Sequence, residues 1–209
     1  MIVDLSELST NQVYFHLTQS VIPRPVAWVL SLNDASPNEA DSFNLAPFSY
    51  FTPISSNPPL LMISVGKKPE GDFKDTRVNI ETRRQFVVHI AHRELAGKMT
   101  ESSRTLPAGV SELDYVKMET VPFDDFPVPR LKDCRVAMAC ESYKVQEIGN
   151  APQALIFGEI KKLYLDDQVI SENDRGRQKI HADRIDPIGR LGTDEYTTFG
   201  EILTIPRPK

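Results

Sequence analysis

Prolines interrupt this sequence at short intervals, and their distribution limits the fold more than any other feature. Sixteen of the 209 residues are proline. Proline cannot donate a backbone hydrogen bond to a sheet, so it is confined largely to strand edges, strand ends and loops. The sequence therefore predicts many strand ends and irregular connections.

Strand-like apolar segments follow one another without a regular alternation with helices. The first, Val26–Leu32, is apolar on both faces, and a polar turn at Asn33–Asn38 separates it from the second. This order favours an antiparallel barrel or sandwich over a parallel doubly wound sheet. The predicted strands are Val26–Leu32, Ala40–Ala46, Leu60–Val65, Phe86–Ala91, Arg135–Ile148 and Ala154–Leu165, the last two joined by a turn at Gly149-Asn150.

Helical spacing is confined to three segments. They are Ser9–Leu17 with Ser9 or Thr10 as its cap, Asp75–Arg84 with Val78 and Ile80 on its apolar side, and Arg93–Ser103 with Leu95, Ala96 and Met99 facing inward. Three stretches are predicted to be largely irregular: Pro47–Pro59, Thr105–Lys132, and the tail from Asp166 to about Ile185.

Charge and length exclude several classes of function. The formal net charge is −5, and an acidic chain repels phosphate backbones, so we expect no nucleic-acid partner. The first twelve residues lack the basic and apolar regions of a signal peptide, and no apolar run reaches the roughly 18 residues of a membrane span. We therefore expect one cytoplasmic domain over residues 1–209, with a C-terminal arm at about 166–209 and no membrane partner.

The usual signatures of side-chain chemistry are absent from the sequence. It contains no GxGxxG or GxxxxGK[ST] loop, no GxSxG elbow and no HExxH helix. Cys134 and Cys140 are predicted to be buried on one face of a strand, without chemistry. The four histidines have no metal-ligand spacing, so no metal is expected. A redox cofactor would suit such a chain, because the cofactor itself carries the chemistry.

Three ordered segments carry a family resemblance. Their order and spacing, over roughly residues 10–200, resemble those of the flavin reductase-like FMN-binding split-barrel family, which includes flavoredoxins and the small components of two-component monooxygenases. Pro187–Gly192 and Tyr196 are similar to the family's C-terminal pattern. The three segments are Ile22-Pro23-Arg24-Pro25-Val26-Ala27-Trp28-Val29, then Asn44-Leu45-Ala46-Pro47-Phe48-Ser49-Tyr50-Phe51 running into Ser55–Leu60, then Lys74-Asp75-Thr76 with Asn79-Ile80.

The resemblance implies a mainly β fold, an antiparallel split β-barrel of the FMN-binding type with added helices. It also implies a homodimer with FMN near its interface. The expected reaction is hydride transfer from NADH or NADPH to flavin N5, followed by electron delivery to free flavin, oxygen or a redox partner such as a monooxygenase. No catalytic acid or base is required, because a hydride moves directly between stacked rings.

A phosphate site is predicted at Lys74-Asp75-Thr76, which opens a helix. A helix N-terminus offers free amides and a favourable dipole to an anion, and Lys74 adds positive charge while Thr76 adds a hydroxyl donor. Residue types alone leave an alternative open, a plain N-cap at Asp75 followed by solvated arginines.

The remaining site residues come from the resemblance. It implies main-chain flavin contacts at Asn44, Ala46, Pro47 and Ser49, with Phe48 as an apolar wall; the alternative is an aromatic loop that covers the core. Arg24 is expected to contact flavin or phosphate, or to form a surface salt bridge, and Trp28 is expected in the core. The other implied cofactor-binding residues are Ser64 and Gly66 near the ribityl chain or phosphate, Asn79 in the third segment, and Arg190 and Tyr196, which reach the flavin from the neighbouring subunit or pack in a C-terminal arm.

Two departures from the family pattern stand out. The turn before Asn44 contains no glycine, and Arg84–His89 occupies a segment where the family has a glycine and later an asparagine. The sequence does not identify the donor to the N1–C2=O region of reduced flavin, and Arg190 is one candidate for it. Two rival functions stay open: a flavoredoxin-like electron carrier without nicotinamide activity, and a non-catalytic binding domain that has lost flavin.

Overall fold

The protein was analysed as a computed structural model, which describes residues 1–33, 43–107, 110–150 and 153–208. The helices are α1 (Thr10–Ser20), α2 (Asp75–Arg83), α3 (Ala96–Glu101), α4 (Glu112–Val116) and α5 (Ala182–Ile185). The strands are β1 (Arg24–Pro25), β2 (Ala27–Leu32), β3 (Phe43–Phe48), β4 (Phe51–Ser56), β5 (Pro59–Val65), β6 (Gln85–Ile90), β7 (Thr120–Phe123), β8 (Phe126–Leu131), β9 (Val136–Ile148), β10 (Gln153–Leu165), β11 (Ile170–Glu172), β12 (Gln178–Ile180), β13 (Gly189–Arg190) and β14 (Tyr196–Thr197).

A seven-stranded antiparallel sheet in the order β3-β2-β6-β9-β10-β5-β4 forms the centre of the fold. The two edge strands, β3 and β4, are consecutive in the chain and are separated by only Ser49 and Tyr50. Since one short turn joins opposite edges, the sheet must curl until those edges meet. The amide of Ser64 donates to the Tyr50 carbonyl at 2.9 Å beside this junction. The predicted split β-barrel is confirmed.

Two apolar clusters lie on opposite faces of the curled sheet. Strand β2 contributes to both, since Trp28 and Leu30 pack in one cluster and Ala27 and Val29 in the other, which explains why its sequence is apolar on both faces. The first cluster is covered by α3, α4 and the β7–β8 hairpin, and the second also contains Ile80 of α2.

The ends of several elements agree with the sequence analysis. Ser9 caps α1 through a capping box with Gln12, as the pattern of this segment predicts. Leu95 and Met99 are buried as expected. Of the predicted strand Ala40–Ala46, residues 43–46 lie in β3, whereas its first three residues and the predicted turn after Asn33 lie outside the described residues.

All three stretches predicted to be irregular contain regular elements, and the tail from Asp166 to about Ile185 holds β11, β12 and α5. Thr105–Lys132 contains α4 and the β7–β8 hairpin, and Pro47–Pro59 contains the end of β3 and all of β4. The prolines mislead because each lies where a sheet tolerates it. Pro53 is in the edge strand β4 beside a register shift, and Pro122 and Pro127 belong to a two-stranded hairpin.

Two expectations about side-chain direction are also wrong. Val78 is 40% exposed on α2, where Ile80 alone of the predicted pair faces the core, because residues two apart point in different directions on a helix. Cys134 and Cys140 are both buried but pack in opposite clusters, since Cys134 precedes β9 and does not share its alternation. Burial raises the pKa of both thiols.

Gly158 in β10 allows the close approach of a core ring, and its substitution tests the packing of the barrel. A Cβ there would lie 2.5 Å from Cζ of Phe86, which is fully buried. We expect Gly158→Ala to lower the free energy of unfolding by about 1–3 kcal/mol through overpacking, as measured by urea denaturation. Gly97→Ala is the matched control, because its Cβ meets nothing within 4 Å on helix α3. Equal stability of the G158A variant and the unsubstituted protein would contradict the close packing of the Phe86 ring against Gly158.

No described helix combines the length and apolar character that a membrane span requires.

Candidate functional site

The start of helix α2 presents an uncapped N-terminus beside a partly buried cation. Lys74 is the N-cap residue, and no side chain caps the helix. Its Nζ lies 5.8 Å from the ring centroid of Phe48, and no carboxylate of the described residues pairs with it. Burial, and then the nearby charge of Lys68, lowers the pKa of Lys74. Such a cation is stabilised by an incoming anion.

A buried side-chain hydrogen bond ties this helix to edge strand β3. Nδ2 of Asn44 donates to Oγ1 of Thr76 at 2.8 Å, and both residues are buried. Because Thr76 accepts this bond, its own hydroxyl proton stays available for a ligand. Two of the three sequence segments that carry the resemblance therefore meet in the folded chain.

A narrow cavity of about 90 Å³ opens where these elements meet. Strand β3, the start of α2, the segment after α3, and α4 all contribute to its wall. Six of the predicted site residues line it: Asn44, Ala46, Pro47, Lys74, Asp75 and Thr76.

A wider cavity of about 320 Å³ adjoins the narrow one, and Pro47 and Ser103 line both. Its wall includes Ser49, Arg190 and Tyr196, all of them predicted site residues. The Arg190 guanidinium carbon lies 4.5 Å from the centroid of the Tyr196 ring, and Oγ1 of Thr100 donates to the Tyr196 hydroxyl at 3.1 Å. The C-terminal segment thus supplies an aromatic and cationic wall to its own chain.

Arg24 is buried and forms no salt bridge among the described residues, so the expected surface salt bridge is wrong, whereas its contact with flavin or phosphate stays a prediction. Its side chain is buried, and its guanidinium donates to the carbonyls of Thr18, Val21 and Leu191. Strand β1 also pairs with β13, with Arg24 opposite Arg190. Arg24 therefore joins the end of α1 to the C-terminal segment that carries Arg190. It also points Nε at Oγ of Ser49, 3.4 Å away.

Four other predicted residues do not line either cavity. The Phe48 side chain packs in the core, and Ser64 faces a separate apolar groove. Gly66 approaches the Gln153 side chain, and Asn79 donates to Ser31 and Asn33 side chains inside the protein. Any flavin contact of these four stays a prediction.

Sequence reasoning missed more than half of the residues that line the narrow cavity. The missed residues are Ser102 to Leu106, Glu112, Lys68 and Pro69. The indole Nε1 of the fully buried Trp28 donates to Oγ of Ser102 at 2.8 Å, and that hydroxyl donates to the Met99 carbonyl at 2.7 Å. Trp28 thereby fixes the end of α3 and the segment that follows it. The one usable sequence signal was the polar, basic run Ser102-Ser103-Arg104-Thr105 after a helix.

Glu112 is a buried acid of the site whose pKa is shifted strongly. Its side chain is 6% exposed, and Oε2 accepts a hydrogen bond from the Leu45 amide of β3 at 2.9 Å. Burial raises the pKa of Glu112 to about 7. Lys68, Lys74 and Arg104 give the same cavity three cationic groups. The arrangement can hold a compact anion beside a wider space for a ring.

Neither cavity is lined by histidine or cysteine among the described residues. Within the same part of the chain, no group of three or more His, Cys, Asp or Glu side chains could hold a metal ion. His89 is instead buried in the barrel wall, where its ring joins the Trp28 carbonyl to the Leu131 amide. Among the described residues, the two cavities are thus lined by groups suited to binding, and neither a histidine nor a cysteine is among them.

Comparison with known proteins finds a matching family profile and similar solved structures. Residues 19–181 match the sequence profile of the family described as the flavin reductase like domain. The structure is similar to nitrilotriacetate monooxygenase component B from Bacillus cereus, with a TM-score of 0.86, 30% identity and 98% coverage of both chains. It is also similar to 2-nitrobenzoate 2-nitroreductase from Pseudomonas fluorescens, with a TM-score of 0.85, 31% identity, and coverage of 100% of this chain and 96% of the other.

A third solved structure bears on the fold alone. It is a putative flavin reductase with a split barrel domain from Shewanella frigidimarina, with a TM-score of 0.80 and 18% identity. The match covers 98% of this chain and 96% of that one.

Proposed function

This chain belongs to the flavin reductase-like domain family, and from that premise we propose that it is an FMN-binding oxidoreductase. The proposed reaction takes a hydride from NADH or NADPH and passes electrons to free flavin, oxygen or a partner protein. FMN would supply the redox chemistry through its ring, with the hydride accepted at N5.

The pair of adjoining cavities is the observation that carries this proposal. FMN combines a compact phosphate dianion with a broad ring, and the site combines a narrow cationic cavity with a wider, partly aromatic one. The volumes, about 90 and 320 Å³, together fall in the range of roughly 300–1,000 Å³ that is typical of small-molecule sites. The residues that line the two cavities therefore fit FMN.

The chain's own residues would bind and orient the cofactor. Lys74, the amides that open α2, and the Thr76 hydroxyl would hold the phosphate. The edge of β3 that does not pair with β2 would present main-chain groups to the ring, because an edge strand leaves alternate amides and carbonyls unpaired by the sheet. Pro47 has no amide proton and can offer only its carbonyl. Arg190 would place a positive charge near the ring from the wall of the wider cavity.

The wider cavity supports a second candidate substrate. Its wall has two tyrosines, Tyr14 and Tyr196, and the cation of Arg190. An aromatic carboxylic acid would find both a stacking surface and a counter-charge there. A nitroaromatic acid is therefore a candidate electron acceptor, in line with the similarity to 2-nitrobenzoate 2-nitroreductase.

We also propose that the protein acts as a homodimer and that its apolar groove lies at the interface. The groove is lined by α1, β4 and β5 residues, and Leu17, Val21 and Tyr50 are exposed there. Apolar surface gathered in one groove suits a permanent protein contact. A monomeric mass in light scattering would reject the dimer.

Absorbance spectroscopy tests the function directly. We expect purified protein mixed with FMN and passed through a desalting column to carry a flavin spectrum, and NADH or NADPH to bleach the visible band under anaerobic conditions. Free flavin, oxygen, a redox partner and 2-nitrobenzoate are then supplied one at a time to find the acceptor.

The same experiment separates the rival functions. Bound flavin that neither nicotinamide bleaches, although dithionite does, would reject the reductase in favour of an electron carrier. A purified protein that is colourless, and stays colourless after mixing with FMN and removal of the free flavin, would be a binding domain that has lost the cofactor. A domain without flavin would contradict the proposal altogether.

A further inference from the structure

A buried carboxyl faces the narrow cavity and has no part in the proposed hydride transfer. Glu112 begins α4, and its Oε2 accepts the Leu45 amide of strand β3. Asn44, the residue before Leu45, lines the same cavity as Glu112. The carboxyl therefore lies against the strand that would hold the flavin and opens on the space that would hold the phosphate.

The charged groups around Glu112 among the described residues do not form an ion pair with it. Lys68 favours its ionised form, but the Lys68 ammonium is bonded to Asp75 at 2.9 Å, and the Asp75 charge opposes ionisation. Lys74 lines the cavity from the start of α2. Among the described residues, no Lys, Arg or His forms an ion pair with Glu112.

The other elements around α4 bring charges that are already engaged or exposed. The segment after α3 brings Arg104, which is paired with Glu101 at 2.7 Å. Helix α3 itself brings Lys98, whose Nζ donates to the Lys117 carbonyl. On α4, Asp114 is exposed. Of the three cations that line the cavity, Lys68 and Arg104 are thus engaged by other carboxylates, so a bound phosphate and an ionised Glu112 would compete for Lys74.

We propose that Glu112 couples cofactor binding to proton uptake: the carboxyl takes a proton from solvent when the phosphate of FMN occupies the narrow cavity. This inference rests on the proposed function, because it takes FMN as the ligand. Two negative charges in one partly desolvated cavity repel each other strongly. Protonation removes that repulsion, and the neutral carboxyl can still accept the Leu45 amide through its carbonyl oxygen.

The coupling makes a quantitative prediction about pH. In the free protein, with a pKa of about 7, Glu112 is mostly ionised at pH 8. FMN binding should then take up between half a proton and one proton, and the Kd should rise up to about tenfold per pH unit between about pH 7.5 and 9. The second pKa of a phosphate monoester is near 6, so the FMN phosphate keeps a constant charge over this range.

Calorimetric titration of FMN counts the protons. The titration is run at pH 8 in two buffers of different ionisation enthalpy, and the Kd is measured from pH 7 to 9. The Glu112→Gln variant keeps a side-chain acceptor for the Leu45 amide but cannot titrate, so its binding should take up no proton and depend little on pH. Asp114→Asn removes one negative charge from the same helix at an exposed position, and it should behave as the unsubstituted protein does.

Each outcome decides the role of Glu112. Proton uptake that is absent from the unsubstituted protein, or equal in E112Q, overturns the inference while leaving the flavin site intact. Failure of every variant to bind FMN at any pH overturns the proposed function as well, and it is distinguishable because no binding heat appears. If E112Q does not fold, Glu112→Asp replaces it: uptake that persists with a shifted midpoint supports the coupling, and an unchanged pH profile overturns it.

Discussion

Substituting Lys74 by glutamine should weaken FMN binding by about ten- to a hundredfold. The Lys74 ammonium is partly buried and pairs with no carboxylate of the described residues, and burial together with Lys68 lowers its pKa. Its charge is therefore free for a ligand phosphate. A hydrogen bond to a charged group contributes about 1.5–3 kcal/mol, and each 1.4 kcal/mol is a factor of ten in Kd.

Quenching of FMN fluorescence measures this loss, and riboflavin provides the internal control. Riboflavin carries the same ring without the phosphate, so the Lys74→Gln substitution should change its Kd little. The matched control variant is Lys67→Gln, which removes the same charge from an exposed side chain that does not line the narrow cavity. An equal loss of affinity for riboflavin and for FMN would contradict a phosphate site at the start of α2.

The parts of the site that sequence could predict are those whose chemistry is local. Lys74-Asp75-Thr76 opens a helix, and the opening of a helix is an anion site by virtue of its own amides. Asn44, Ala46 and Pro47 belong to one strand, β3, so they reach the narrow cavity together. The contact between Asn44 and Thr76 joins the two segments across 32 positions, and only the ordered resemblance indicated that they belong together.

The parts that sequence could not predict depend on long-range contacts. Glu112 belongs to a helix of five residues, which is too short for its periodicity to stand out from a loop. Its position follows from the Leu45 amide, 67 positions away. Ser102 likewise reaches the cavity because Trp28, 74 positions away, donates to its hydroxyl.

Arg24 is a residue whose backbone conformation the sequence predicted but whose side-chain contacts it did not. The two flanking prolines predicted an extended backbone, and Arg24-Pro25 does form β1. The expected roles were a contact with flavin or phosphate, or a surface salt bridge. In place of the salt bridge, the structure surrounds the guanidinium with backbone carbonyls, one of which comes from the C-terminal segment that pairs with β1. No local pattern carries that information.

The His89 contribution to stability should be lost in mild acid, and it should be one of the two large contributions that titrate between pH 4 and 7. The ring is fully buried, Nε2 accepts the Leu131 amide at 2.9 Å, and Nδ1 therefore carries the proton that is donated to the Trp28 carbonyl at 3.0 Å. Burial lowers the pKa of His89 from 6.5 to about 4. A second proton would remove the acceptor of the Leu131 amide and place a charge in the core.

The sign of the effect follows from proton linkage. Between pH 6.5 and 4 the unfolded chain binds a proton at His89 and the folded chain does not, so the His89 contribution to the free energy of unfolding falls as the pH falls, by about 3 kcal/mol in all. Glu112 acts in the opposite direction: its pKa is raised to about 7, so the folded state holds the extra proton between pH 7 and about 4.5. The pH profile of the unsubstituted protein therefore mixes two opposing terms.

Comparison of variants separates these two terms. Urea denaturation is followed at several pH values for the unsubstituted protein and for His89→Gln, which cannot titrate. His89→Gln should be less stable at pH 7 by about 1–3 kcal/mol, since it loses part of the bridge between β2 and β8, but the deficit should shrink or reverse as the pH falls to 4. His16→Gln, on the exposed face of α1, should leave the profile unchanged. A constant deficit at every pH would mean that folding does not lower the pKa of His89, and the buried bridge from Trp28 to Leu131 could not be as described.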